Sequence, residues 1–245
     1  LNWHLNMGDG SVRDIIYWPE TLGESGLHEI HGGIPILFPF AGQCFHNQIP
    51  DKWSPSSGSS VFMPMHGFAQ KADFAIRSID QAGFEAEMIQ TEEQRASYPF
   101  DYTFIVIYHF LELSVQISLV LENESRVPIP WSAGLHPYFQ IPWRKDLDLS
   151  DHQVLIPAKK LFQYSEGGKM DKKPFADDFS YRLDSPNLIN TIFYEVTEPH
   201  ATTINQEKEL DKSSNCMAPF HQSNLLFFFM KSHQTAVHLS TKGKY

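Results

Sequence analysis

Leu113-Ser114-Val115-Gln116-Ile117-Ser118-Leu119-Val120-Leu121-Glu122 carries an apolar side chain at every odd position and a mostly polar one between. Successive side chains of a strand point to opposite faces, so this period of two lays one face on a core and turns the other to water. The run before it, Thr103-Phe104-Ile105-Val106-Ile107-Tyr108-His109-Phe110, is β-branched and aromatic on both faces, as a strand between two layers would be. A short break near Leu111–Leu113 makes the two an antiparallel pair. Further strands are expected at Val12–Tyr17, Asp73–Ser78, Glu85–Gln90, His152–Ile156, Thr202–Asn205, Leu225–Met230 and Ala236–Ser240.

Between these runs lie turn-forming clusters: Pro19-Glu20-Thr21-Leu22-Gly23, Ser54-Pro55-Ser56-Ser57-Gly58 and Glu122-Asn123-Glu124-Ser125. Sixteen prolines and 14 glycines, spread along the chain, suit many short strands joined by turns. Helix signals are scarce, no repeat of fixed period occurs, and the polar segment Glu166–Asp178 reads as a loop. The expectation is one all-β domain over residues 1–245, a mostly antiparallel sandwich or closed barrel.

With 42% hydrophobic residues, the 245-residue chain has ample material for such a core. Nineteen Lys+Arg against 29 Asp+Glu give a net charge of −10 with no basic cluster, so no nucleic-acid partner is expected. The longest apolar runs fall far short of the roughly 20 residues that span a bilayer, so no membrane partner is expected either. The chain opens Leu1-Asn2-Trp3-His4, without a basic segment followed by an apolar one, and a cytoplasmic protein is the default. Its two cysteines, Cys44 and Cys216, have no CxxC spacing and read as free, buried thiols.

Several motifs are missing from the sequence: GxGxxG after a strand, GxxxxGK[ST] and GxSxG. His28-Glu29-Ile30-His31 is not HExxH, and reads as loop histidines before a tight Gly32-Gly33 turn rather than as a zinc site. Of the 12 histidines, two keep unusual company. His66 lies in Met63-Pro64-Met65-His66-Gly67-Phe68-Ala69, with Pro and Gly constraining the backbone on both sides. His136 lies in Trp131-Ser132-Ala133-Gly134-Leu135-His136-Pro137-Tyr138-Phe139, where the following Pro pushes it towards an extended conformation. An imidazole held rigidly at an aromatic-lined strand end can exchange a proton near neutral pH. Flat rings such as Tyr138 also suit the C–H faces of a sugar, whose hydroxyls need polar partners. Read singly, either histidine is equally a core residue satisfied by backbone groups.

Taken in order, the segments His31-Gly32-Gly33-Ile34-Pro35-Ile36-Leu37-Phe38-Pro39-Phe40-Ala41-Gly42, Met65-His66-Gly67-Phe68-Ala69 and Tyr98-Pro99-Phe100-Asp101-Tyr102 form a pattern. The strand pair ending in Leu121-Glu122-Asn123 and the segment Ser132–Phe139 complete it. Over roughly residues 10 to 140 this resembles the aldose 1-epimerase family, the galactose-mutarotase-like proteins. The resemblance implies a large antiparallel β-sandwich of the galactose mutarotase type, with a small-molecule sugar in a surface cleft. It also implies interconversion of α and β anomers of an aldohexose without metal or organic cofactor. On matching positions His136 is the general acid at the ring oxygen, and His66 assists by hydrogen bonding and holding the sugar. His31, Gln70, Tyr138 and Asn190 fall at substrate-binding positions.

Three departures from the family pattern stand out. Sugar-phosphate mutarotases similar to this family carry Arg where His31 and Gln70 stand here, so the resemblance implies an unphosphorylated sugar, with no guanidinium clamp for phosphate. The family's catalytic base is a Glu near the C-terminal end. One register places Ala218 there, within Cys216-Met217-Ala218-Pro219-Phe220; another, better spaced after His136, places Ser240. Neither is a carboxylate, and Glu195, Glu198, Glu207 and Glu209 read as exposed loop or strand-edge charges. Finally, Asn190 takes the place of an Asp that helps bind sugar in many relatives and still hydrogen-bonds a hydroxyl; Asp177 and Asp178 are the alternatives. Two functions fit: an active aldose 1-epimerase, or a catalytically impaired carbohydrate-binding protein on the same fold.

Overall fold

The computed structural model describes residues 3–6, 10–20, 30–55, 60–112, 114–142, 145–156, 158–164, 170–173, 180–189, 191–196, 203–206 and 235–240. Its paired ladders are antiparallel, and the one α-helix among the described residues is the short Glu92–Ser97. The chain divides into two compact units. One comprises Leu1–Pro35, His136–Ser165 and Met170–Phe228; the other comprises Ile36–Leu135, Glu166–Lys169 and Phe229–Tyr245. No helix among the described residues is long and apolar enough to cross a membrane.

The second unit is built on a five-stranded sheet in the order Thr235–Ser240, Ser114–Asn123, Tyr102–Leu111, Gly83–Met88, Phe74–Ile79. Its central pair runs unbroken from Tyr102 opposite Asn123 to Leu111 opposite Ser114. The alternation holds over residues 115–120: Val115, Ile117 and Leu119 are buried, while Gln116, Ser118 and Val120 between them are half-buried; Ser114, at the start of the strand, is buried as well. Against that face packs an aromatic cluster centred on Phe38, which is fully buried. Its ring stacks on Phe104 at 3.9 Å between centroids and meets Tyr98, Tyr102 and Phe68 edge-on or tilted at 5.4 to 6.0 Å. Offset and edge-to-face contacts of this kind add about 0.5–1.5 kcal/mol each beyond the area they bury. The Tyr98 hydroxyl donates to the Pro130 carbonyl at 2.8 Å, so the deepest phenol of the cluster is satisfied.

The first unit holds two three-stranded sheets, Ser180–Arg182, His152–Leu155, Thr203–Gln206 and Met170–Lys173, Ala158–Tyr164, Thr191–Val196. Val154, Ile156, Ala158, Tyr181 and Leu183 form a buried core there. Two expectations are corrected in this unit. The segment Glu166–Asp178 is not all loop, because Met170–Lys173 pairs with Leu161–Tyr164. An edge strand needs only its backbone groups for the ladder and tolerates lysines facing water, so polar composition did not prevent it. The strand expected over Val12–Tyr17 is shorter, Val12–Asp14, and continues only as a single bridge from Ile16 to Phe139. The strand expected at Leu225–Met230 lies outside the described residues.

Candidate functional site

In the first unit, three of the sequence-derived residues meet. The backbone around the Gly32-Gly33 turn is stitched to two other segments. Gly33 N–H donates to the Tyr17 carbonyl at 2.8 Å, Tyr138 N–H to Gly33 at 2.9 Å, and Tyr17 N–H to Tyr138 at 2.7 Å. His136 N–H donates to the Pro35 carbonyl at 2.9 Å. His136, directly after the strand Gly134–Leu135, is thereby held by main-chain bonds and is buried, with 5% of its surface exposed. The Tyr138 ring lies nearly flat on the His136 imidazole, 4.6 Å between centroids and 22° between planes. The Tyr138 hydroxyl shares a 3.3 Å hydrogen bond with His31 Nδ1. Burial raises the Tyr138 phenol above its ordinary range, so near neutral pH it is a neutral O–H group.

The second unit carries His66 and Gln70. His66 sits at φ +69° and is followed by Gly67 at φ +72°, two left-handed residues in succession. A bend this tight turns the imidazole back towards the 41–42 segment. His66 Nδ1 lies 2.6 Å from the Ala41 carbonyl oxygen, and a carbonyl only accepts, so Nδ1 carries the proton. That fixes the tautomer of the neutral ring, with the acceptor lone pair on Nε2. The turn is anchored on the core: Phe68 N–H donates to the Phe38 carbonyl at 2.9 Å, and Gly67 forms a bridge with Phe38. Gln70 follows in the 3-10 turn Ala69–Lys71 and is half-buried. Cys44 is half-buried rather than buried, and its thiol is pushed up to about 11, first by burial and then by the nearby Asp51 carboxylate.

Among the described residues, no three His, Cys, Asp or Glu side chains gather as metal ligands would. The strand Thr235–Ser240 pairs with Ser114–Asn123 and sets Ser240 opposite Ser114. Glu195 falls within the strand Thr191–Val196. His28, Glu29, Asp177, Asp178, Asn190, Glu198, Glu207, Glu209, Cys216 and Ala218 lie outside the described residues. Sequence reasoning did not anticipate the Ala41 carbonyl as the partner of His66, nor the bond from His31 to Tyr138. A backbone acceptor carries no side-chain signature, and residues 31 and 138 are too far apart in the chain for any local pattern.

The fold is shared with galactose-mutarotase-like proteins. A galactose mutarotase related enzyme from Lactobacillus acidophilus superposes with a TM-score of 0.60 at 17% identity, covering 78% of this chain and 67% of its own. A protein of Synechocystis sp. PCC 6803 gives 0.56 at 22% identity, covering 81% and 71%. The GalM/aldose epimerase homologue of C. elegans gives 0.55 at 12% identity, covering 74% and 58%. At such identities these structures establish the fold. A search of curated proteins found no match. The family model of aldose 1-epimerase matches residues 4–216, and the chain belongs to that family.

Proposed function

We propose that the protein interconverts the α and β anomers of an unphosphorylated aldohexose, with His136 as the acid at the ring oxygen. The observation that carries this reading is the setting of His136: a buried imidazole fixed through its own backbone, with the Tyr138 ring stacked on it, in a chain of the aldose 1-epimerase family. In the reaction a base takes the proton of the anomeric hydroxyl while His136 gives one to the ring oxygen. The bond from C1 to the ring oxygen breaks and a C1 aldehyde forms. Rotation about C1–C2 presents the other carbonyl face, and reversal of both proton transfers closes the ring. Acid–base assistance of this kind supplies about 10² to 10⁴-fold per positioned group. His66, whose Nδ1–H is donated to the Ala41 carbonyl oxygen, holds the sugar by hydrogen bonding in this reading. His31, Gln70, Asn190 and Tyr138 are the remaining sugar contacts in this reading. His31 and Gln70 in place of arginines favour a substrate without phosphate.

One observation favours a second reading. In the better-spaced register Ser240 takes the place of the base, on a strand that is paired at that position with Ser114, so no carboxylate stands there. Catalysis then requires a carboxylate from another position, and without one the protein is a carbohydrate-binding relative that has lost its chemistry. Polarimetry on freshly dissolved α-D-glucose and α-D-galactose, with wild type and His136→Ala, separates the two. Accelerated mutarotation that falls by at least about 100-fold in His136→Ala establishes the enzyme. No acceleration, with sugar binding seen by calorimetry, establishes the binding protein. Neither acceleration nor binding overturns both.

A further inference from the structure

We infer that His31 is a positioning residue for His136, acting through the Tyr138 hydroxyl. This rests on the reading of His136 as the acid and adds a role to a residue that does not itself reach the reacting atoms. His31 and Tyr138 are brought side by side by the main-chain bonds among Tyr17, Gly33 and Tyr138. Their closeness depends on Gly32, because a Cβ there would lie 2.9 Å from Pro19 Cδ and 3.1 Å from the Tyr17 carbonyl oxygen. Within this frame the His31 and Tyr138 rings meet edge-on at 6.2 Å and 72°, and Nδ1 bonds the phenol oxygen at 3.3 Å. The opposite relation, a face-on stack at 4.6 Å and 22°, joins Tyr138 to His136.

The three rings thus form a chain in which Tyr138 is the link. Its ring stays flat on His136 only at one setting of its two side-chain torsions. The hydroxyl is the atom farthest from the backbone and lies on the χ2 axis, so a bond made there resists swinging of the ring about χ1 with the longest lever, while the stack on His136 holds χ2. His31 is exposed and Tyr138 half-buried, and a bond at such a surface position adds little to folding. Its effect falls instead on the orientation of the imidazole beneath the ring, where a small misplacement is costly to proton transfer. The neutral phenol donates to Nδ1 in the His31 tautomer protonated on Nε2 and accepts from Nδ1–H in the other, so either tautomer keeps the bond.

The test reads His136 directly in the sugar-free protein. Side-chain histidine NMR resonances are recorded for wild type, His31→Ala, His31→Asn, Tyr138→Phe and the double variant His31→Ala/Tyr138→Phe, with His136→Gln to assign the signal. His31→Ala and Tyr138→Phe are expected to move the His136 signal in the same direction, and the double variant no further than either. His31→Asn, which places an amide where Nδ1 stood, is expected to restore it. In the mutarotation assay His31→Ala is expected to lower kcat about three- to tenfold, the worth of one modest hydrogen bond. A His136 signal that stays in place in His31→Ala, or that Asn fails to restore, overturns the inference. If the wild type proves inactive, the proposed reaction falls, and the NMR comparison still decides whether His31 sets His136.

Discussion

A methyl group at position 67 would stand 2.1 Å from the Phe38 carbonyl oxygen and 2.7 Å from the Pro39 nitrogen, at a backbone φ of +72°. Both the contact and the conformation exclude any residue but glycine. Gly67→Ala is therefore expected to cost about 3 kcal/mol or more in urea denaturation, the sum of steric overlap and a left-handed backbone. It should also displace His66, whose own left-handed φ is the other half of the turn, so sugar binding should weaken in whatever fraction remains folded. A second residue-scale prediction concerns Cys44. Its thiol is raised from 9.0 to about 11. At pH 8 its thiolate fraction is then about a hundredfold below that of an ordinary thiol, and thiolate is the nucleophile. Iodoacetamide labelling that Cys44→Ser abolishes should accordingly be about a hundredfold slower in the native than in the unfolded chain. At this scale the sequence was partly legible. Pro64 and Gly67 around His66, and Pro137 after His136, mark imidazoles with constrained backbones. The direction of that constraint was not legible: nothing in Met65-His66-Gly67 says that two consecutive residues take positive φ.

The segment that carries Ile36–Leu37 continues into Phe38, and at Phe38 the core and the His66 turn meet. The Phe38 ring lies against Phe104 of the long Tyr102–Leu111 strand and against Tyr98, which caps the end of the Glu92–Ser97 helix. The Phe38 carbonyl, one bond further along, receives Phe68 N–H. Replacing the ring by Ala leaves a cavity between elements already at native density, and Phe38→Ala is expected to lose about 3–5 kcal/mol by chemical denaturation. A loss below about 1 kcal/mol would mean that the cluster closes over the gap and that Phe38 is not its centre. Long strands were legible because their alternation is sustained. Tyr102–Leu111 and Ser114–Asn123 differ from the expected bounds by one residue at each end. Short elements were not. The Thr91 to Gln94 capping box, which starts the helix with both reciprocal bonds made, is a spacing of two polar residues that occurs by chance in any chain. Likewise Met170–Lys173 is strand by virtue of its neighbour's backbone and not of its own side chains.

For the molecule as a whole, family and fold class were legible because five short motifs in a fixed order carry more information than any one of them, and because the period of two recurs through the chain. The base was not, since the motif that would hold it is absent in either register. The whole-molecule consequence of the core is alkaline lability. Tyr98, Tyr102 and Tyr108 are buried in the second unit, and burial raises all three phenols, Tyr108 to about 12 and the other two further. In the unfolded chain each ionises near 10. Between pH 10 and about 12 the unfolded state therefore binds fewer protons than the native state, and stability falls as pH rises, by about 1.4 kcal/mol per pH unit for each such tyrosine. The stabilisation is fully present below pH 10 and is lost as the pH passes through the native values. Since the chain already carries a charge of −10 at neutral pH, the tyrosinates formed on unfolding also gain from a chain free to separate its charges. Urea denaturation at pH 8, 10 and 11 should show little change over the first interval and a steep loss over the second. Tyr108→Phe should remove one tyrosine's share of that slope while leaving the midpoint at pH 8 nearly in place. An equal slope in Tyr108→Phe would show that its phenol ionises in the native protein as readily as in the unfolded chain, and that the sheet around it admits water.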